Sequence, residues 1–198
     1  MYSYENFKEM LNALNEKLIE ENLDMEIYAI GGFAMMCNAR SLGFDAREIS
    51  IDIDSYNQYN ETIMNLIDKV ADEFDLDERK WLNTDWRNAV LKAGNGIEDW
   101  IIVTYPGWKW EISSDVNLAK IKVYYANIEG LFAMKLRAVE DKVETGFEPR
   151  LNDVRDLVSI LRLFEEDIDN IKNETIKSLL DSFPISKKYL KEVISKDR

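Results

Sequence analysis

The sequence between residues 27 and 54 constrains the fold of this 198-residue chain more than any other stretch. An apolar run, Ile27-Tyr28-Ala29-Ile30, stops at Gly31-Gly32; a short helical run and a loop then lead to Ile49-Ser50-Ile51-Asp52-Ile53-Asp54. Successive side chains on a strand point to opposite faces, so a strand over 49–54 would carry Ser50, Asp52 and Asp54 on one face. The stretch therefore predicts two strands, the first ending in a glycine turn and the second carrying two carboxylates.

These carboxylates and glycines together predict a site for a cation and a phosphate. Asp52 and Asp54 repel each other unless a cation lies between them, and Mg²⁺ prefers one or two carboxylates plus substrate phosphates. Backbone N–H groups at Gly31 and Gly32 can approach phosphate oxygens because no Cβ intervenes, and a helix beginning there adds its positive end. The alternatives are an edge strand with a solvated acidic face and a simple tight turn.

Apolar periodicity divides the chain into a mixed first part and a helical second part. Helices are predicted over 4–21, 33–39 and 61–74, and strands over 25–30, 49–54, 100–105 and 121–125. Beyond residue 126 the pattern predicts helices over 128–144, 150–165, 170–182 and 186–196, with N-caps at Asn127, Asn170 and Ser186. We therefore predict an α+β fold in which an α/β-type mixed-sheet domain, residues 1–126, packs against a helical domain, residues 127–198.

The absence of histidine narrows the chemistry available to this chain. Histidine triads and histidine-ligated zinc are excluded, so acid–base or metal chemistry must use carboxylates, Lys or Tyr. The formal net charge of −13 disfavours non-specific contact with nucleic acid, and we expect no DNA binding. No apolar stretch is long enough to span a bilayer, so we expect a cytoplasmic protein without a membrane partner. The single cysteine, Cys37, is expected in the core.

Two charged side chains fall within apolar faces of the predicted C-terminal helices. Lys135 lies at the centre of one such face and Asp153 within the next, and a lysine in an apolar stripe needs a counter-charge or a ligand. One interpretation is a buried Lys135–Asp153 ion pair that fixes helix register. The other places Lys135 on the phosphates of a ligand, oriented by Asp153. Asp156, at the edge of its stripe, is expected in solvent.

All five tryptophans lie between Trp81 and Trp110. Aromatic rings stack on nucleobases, so this cluster predicts either a substrate-stacking surface or, as the alternative, ordinary packing on a sheet.

Three motifs in order give the chain a family resemblance. Gly-Gly-x-Ala after a strand, followed by a Ser-x-Asp-x-Asp strand, resembles the nucleotidyltransferase (polymerase beta-like) superfamily. The helix Leu131-Phe132-Ala133-Met134-Lys135-Leu136-Arg137-Ala138 and the run Arg150-Leu151-Asn152-Asp153-Val154-Arg155-Asp156-Leu157 resemble its AbiEii-like branch. The resemblance extends from residue 27 to residue 163.

The resemblance implies a nucleotidyltransferase that uses Mg²⁺ or Mn²⁺ to move an NMP from an NTP to a tRNA, another RNA or a protein. It further implies a toxin of a toxin–antitoxin or phage-defence pair, with a cognate antitoxin as partner. Asp52 and Asp54 would hold the metal, Lys135 and Asp153 would join them as catalytic residues, and nucleotide contacts would come from Gly31, Gly32, Arg47 and Lys135. Arg47 is alternatively a solvated loop residue.

Relatives of this type usually add a third carboxylate from a later strand. Asp99 is the first candidate for that role here, and Glu98 and Glu111 are the others. The alternative function is a catalytically lapsed relative that serves as a nucleotide-binding or protein-interaction module.

Overall fold

A computed structural model of the chain describes residues 1–76, 81–85 and 107–196. The strands within these ranges are β1 (Tyr2–Ser3), β2 (Met25–Ile30), β3 (Ile49–Ser50), β4 (Ile53–Ser55), β5 (Leu82–Asn83), β6 (Trp110–Asn117) and β7 (Ile121–Ala126). The helices are α1 (Tyr4–Glu20), α2 (Gly31–Leu42), α3 (Glu61–Glu73), α4 (Ile128–Glu144), α5 (Leu151–Leu163), α6 (Glu174–Ser182) and α7 (Pro184–Lys196). The predicted strand over 100–105 lies outside the described residues.

A mixed five-stranded sheet organises the first part of the chain, which confirms the predicted α+β fold. Its strand order is β5-β4-β2-β7-β6, and β2 occupies the centre. Strand β2 runs parallel to β7 and antiparallel to β4, while β5 runs parallel to β4. The register places Asp54 opposite Ile30 on one side and opposite Asn83 on the other. This register positions the candidate site at the end of the central strand.

The predicted single strand over 49–54 is wrong. Strand β3 pairs with β1 in a separate two-stranded sheet, and only β4 joins the main sheet. Ile51 and Asp52 lie between the two strands, and Ile51 is 57% exposed, whereas Ile53 is fully buried. The chain changes its pairing partner between the two strands, so side-chain alternation does not continue across this stretch.

The helices predicted from apolar periodicity are present, with small shifts at their ends. Asn170 is not the cap of α6: the side chain of Asn173 accepts there from the backbone N–H groups of Thr175 and Ile176. Ser186 is not a cap either, because α7 already begins at Pro184, a residue suited to the first helical turn. Asn127 does occupy the N-cap position of α4, although its side chain accepts no bond from that helix.

One hydrophobic cluster joins the sheet to helices from both parts of the chain. It contains fully buried Phe7 and Phe33 from the first part and Leu136 and Leu190 from the second. Cys37 is buried in the same cluster, as predicted. The domain boundary at residue 126 stays a prediction. No helix among the described residues is long and apolar enough to cross a membrane.

Candidate active site

The carboxylates of Asp52 and Asp54 converge on one amide group. Asn83 Nδ2 donates to Asp52 Oδ2 at 3.2 Å and to Asp54 Oδ1 at 2.9 Å. Asn83 is the register partner of Asp54 on the adjacent strand β5, which explains why its short side chain reaches that carboxylate. Asp52 therefore joins Asp54 at one place even though it lies outside the strand.

Gly31 leaves room for this carboxylate pair at the start of α2. Its φ of +65° lies in the left-handed region, which glycine adopts without steric cost. A Cβ placed there would lie 2.6 Å from Asp54 Oδ2, closer than real Cβ contacts allow. The neighbouring Gly32 is buried, and a Cβ there would lie 2.7 Å from Arg47 Nη1 and also too close to Ser50 Oγ. The predicted proximity of the Gly-Gly turn to the carboxylates is thus observed.

Asp54 carries a perturbed pKa. Burial and the neighbouring charge of Asp52 raise the pKa of Asp54 from 3.8 to about 6. The hydrogen bond from Asn83 opposes this shift, as do the positive charges of Lys135 and Arg150. A divalent cation placed between these two carboxylates would relieve their repulsion.

Lys135 is buried in an ion-pair network, and its charge acts on Asp54. Its Nζ lies 2.9 Å from Asp153 Oδ1 and 2.6 Å from Asp156 Oδ2. Arg47 also pairs with Asp156, through Nε at 3.0 Å and through Nη2. The network ties the loop before β3 to helices α4 and α5. The Lys135–Asp153 ion pair, one of the two interpretations of the sequence, is therefore present, although Asp153 is only half-buried.

Two sequence-based expectations fail at this network. We expected Asp156 in solvent, but it is only 2% exposed. Its carboxylate instead forms ion pairs with both Lys135 and Arg47. The alternative of a solvated Arg47 is also wrong, since its guanidinium binds Asp156 in a largely buried position. Arg150, at the N-cap of α5, is exposed, and its positive charge reaches Asp54.

Glu111 cannot supply a third carboxylate to this site. It lies on β6, which is separated from β4 by β2 and β7, and it pairs with Lys109 at 2.7 Å. Glu111 instead lines a cavity of about 450 Å³ together with Asn38, Tyr125 and Asn127. Asp99 and Glu98 lie outside the described residues. Within residues 1–76, 81–85 and 107–196, no group of three or more acidic, cysteine or histidine side chains is arranged to hold a metal.

Three tryptophans lie in the described part of the chain, and they differ in role. Trp81 is buried and donates from Nε1 to the Ile67 carbonyl at 3.1 Å, so it packs as a core residue. Trp110 belongs to a half-buried aromatic group, in contact with Tyr28, Tyr56 and Trp108. Tyr56 follows Asp54 by two residues, so this aromatic group begins beside the carboxylate pair.

Sequence reasoning missed Asn83 altogether. The residue follows a two-residue apolar run, Trp81-Leu82, which is too short to indicate a strand, and an isolated asparagine indicates no site. Only the pairing of β5 with β4 brings it beside Asp54.

No protein-family model, no curated protein and no solved structure matches this chain. The case for a function therefore rests on the geometry of the site.

Proposed function

We propose that this protein is a Mg²⁺-dependent nucleotidyltransferase that moves an NMP from an NTP to a hydroxyl group of an RNA or protein acceptor. One observation carries the proposal: Asp52 and Asp54 converge beside a glycine turn that has no space for a side chain. Mg²⁺ prefers such a pair of carboxylates plus substrate phosphates, and Mn²⁺ accepts the same oxygen ligands.

The chemistry of the described residues supports a cation and a triphosphate at this position. A bound Mg²⁺ would neutralise the phosphate charge as the acceptor O–P bond forms, the bond to pyrophosphate breaks and the hydroxyl proton passes to water. Asp54, with a pKa of about 6, is mostly ionised at neutral pH and available as a ligand. The start of α2 presents backbone N–H groups near this position, where an anion is stabilised.

Among Lys135, Arg47 and Arg150, two positive side chains are held in ion pairs and one is exposed. Lys135 and Arg47 are held by Asp153 and Asp156, and the charge of Lys135 favours the ionised form of Asp54. Arg150 is exposed, and its charge reaches Asp54. We therefore assign the contact with NTP phosphates to Arg150 first, and to Lys135 only after rearrangement of its pairs.

The alternative function is a lapsed relative that binds a nucleotide or a protein without catalysis. The remote position of Glu111 favours it, since that residue cannot complete the carboxylate set. The two functions differ in one measurable property, the transfer of the nucleotide to an acceptor.

Two measurements test the proposal in sequence. Thermal shifts with each NTP, with and without Mg²⁺, should show a Mg²⁺-dependent stabilisation that the variant Asp52→Asn/Asp54→Asn loses. The matched control is Asp24→Asn/Asp169→Asn, which removes two exposed carboxylates of surface ion pairs and should leave the shift unchanged. Equal shifts in the site variant and wild type would refute the site.

Transfer from α-labelled NTP onto total RNA and protein then separates enzyme from binding module. Label on either acceptor, lost in the site variant, supports the enzyme; Mg²⁺-dependent NTP binding without label supports the lapsed relative. The proposed role as a toxin with a cognate antitoxin, acting in the cytoplasm where NTP and RNA meet, is tested by induced expression in cells. Growth should stop with the wild type and continue with the site variant.

A further inference from the structure

We propose that Asn83 is a third metal-binding residue of the site, whose amide exchanges its nitrogen for its oxygen when the divalent cation binds. The inference rests on the proposed metal site at Asp52 and Asp54 and adds a third protein ligand to these two carboxylates.

The position of Asn83 is what a third ligand requires. Its Nδ2 contacts one oxygen of each carboxylate, at 3.2 Å for Asp52 and 2.9 Å for Asp54. A group within hydrogen-bond reach of both oxygens occupies the side on which a bridging cation would bind. Asn83 lies directly opposite Asp54 on a paired strand, so the ladder of β4 and β5 fixes its backbone there.

The Asn83 amide can contact the carboxylates without a cation and can bind the cation when it is present, because its NH2 and oxygen ends have nearly the same shape. Without a cation, the amide N–H groups donate to the carboxylates and offset their mutual repulsion. A half-turn of the terminal torsion brings Oδ1 to the same place, and an amide oxygen is a suitable ligand for Mg²⁺ or Mn²⁺.

The rotation gives up one hydrogen bond of the Asn83 side chain. Asn83 Oδ1 now accepts from the backbone N–H of Asp85 at 3.0 Å. After the rotation the amide N–H groups face this backbone N–H, so the new contact between Oδ1 and the cation has to outweigh the lost hydrogen bond. Two carboxylates and one neutral amide oxygen then give the cation three protein ligands and leave its other positions for phosphate oxygens and water.

Mn²⁺ alone, titrated into the whole protein and followed by the EPR signal of the free ion at pH 8, tests the inference without any reaction. A ligand role and a mere donor role predict opposite signs for Asn83→Ala. If the amide oxygen binds the cation, Asn83→Ala weakens Mn²⁺ binding about tenfold or more. If the amide only holds the metal-free carboxylates, Asn83→Ala removes a competitor and tightens Mn²⁺ binding.

A second variant keeps the test decisive should Asn83→Ala fail to fold. Asn83→Asp places a charged oxygen at the same position and should bind Mn²⁺ at least tenfold more tightly than wild type; unchanged or weaker binding contradicts the ligand role. Asn117→Ala and Asn117→Asp are the controls, because Asn117 is an exposed asparagine on the far edge strand β6, and both should bind like wild type. Wild-type protein without Mn²⁺ affinity would instead refute the proposed function itself.

Discussion

Lys135 Nζ lies 2.6 Å from Asp156 Oδ2, and the two side chains are only 6% and 3% exposed. The pair joins α4 to α5, and Arg47 brings the loop before β3 to the same aspartate. Removing the partner of a buried charge destabilises a protein strongly, so this network restrains how α4 and α5 pack against each other.

Replacing Lys135 with Met should therefore destabilise the protein strongly. The substitution leaves Asp153 without its lysine partner and Asp156 with Arg47 alone, and breaking a buried pair costs about 3–5 kcal/mol. Urea melts measure the free energy of unfolding. The control Lys177→Met, which removes an exposed lysine 3.9 Å from Glu174, should cost less than about 0.5 kcal/mol. A loss below about 1 kcal/mol for Lys135→Met would show that the ammonium is hydrated and available to a ligand instead.

The stability of the metal-free protein should fall as the pH rises from about 4 to about 6. The pKa of Asp54 is raised in the folded state from 3.8 to about 6, so folding keeps the proton that the unfolded chain releases within this window. Its contribution is fully present below 3.8 and is lost as the pH passes about 6. The loss is on the order of 2 kcal/mol, because each unit of pKa shift corresponds to about 1.4 kcal/mol and some of it is screened by solvent.

The variant Asp54→Asn isolates this effect. It should match the wild type at pH 4 and exceed its unfolding free energy at pH 8, measured by urea melts in the presence of a chelator. Parallel curves for the two proteins across this pH range would contradict the raised pKa.

Gly31→Ala should abolish the binding of Mg²⁺ and NTP, whereas Gly43→Ala should not. Both glycines have positive φ, +65° and +70°, so both variants share a backbone cost of about 1 kcal/mol. Only the new Cβ at position 31 meets Asp54, whereas nothing lies within 4 Å of the Cβ at position 43. Thermal shifts with Mg²⁺ and NTP should therefore be lost in Gly31→Ala and retained in Gly43→Ala. Retention in both variants would show that the carboxylate moves freely.

Glu140 should stabilise the start of α7 from outside that helix. Its carboxylate, which is buried, accepts from the backbone N–H groups of Ile185 at 3.2 Å and Ser186 at 2.6 Å. Glu140→Ala leaves these donors without their acceptor and should cost about 1–3 kcal/mol of unfolding free energy. Glu144→Ala, one turn later in α4 and exposed, is the control and should change stability by less than about 0.5 kcal/mol. Equal effects of the two substitutions in urea melts would contradict the capping role.

Local patterns predicted the helices well because helix formation depends on nearby residues. The apolar periodicity of the first 21 residues and of 128–144 is visible within a single window, and the helices found there are Tyr4–Glu20 and Ile128–Glu144. The cap of α7 was missed because the group that accepts from its first turn, Glu140, belongs to a different helix. A search for caps in the adjoining sequence cannot find such a partner.

The sequence by itself determined the glycine turn, the two carboxylates and the apolar faces that hold Lys135 and Asp153, since these follow from residue identity and spacing. Only the tertiary structure decided that residues 49–54 serve two sheets, that Asp156 is buried and that Asn83 lies between Asp52 and Asp54. The physical reason is that strand pairing and ion pairs between helices join residues far apart in the chain. Their partners are selected by packing of the whole core, and no local pattern encodes that selection.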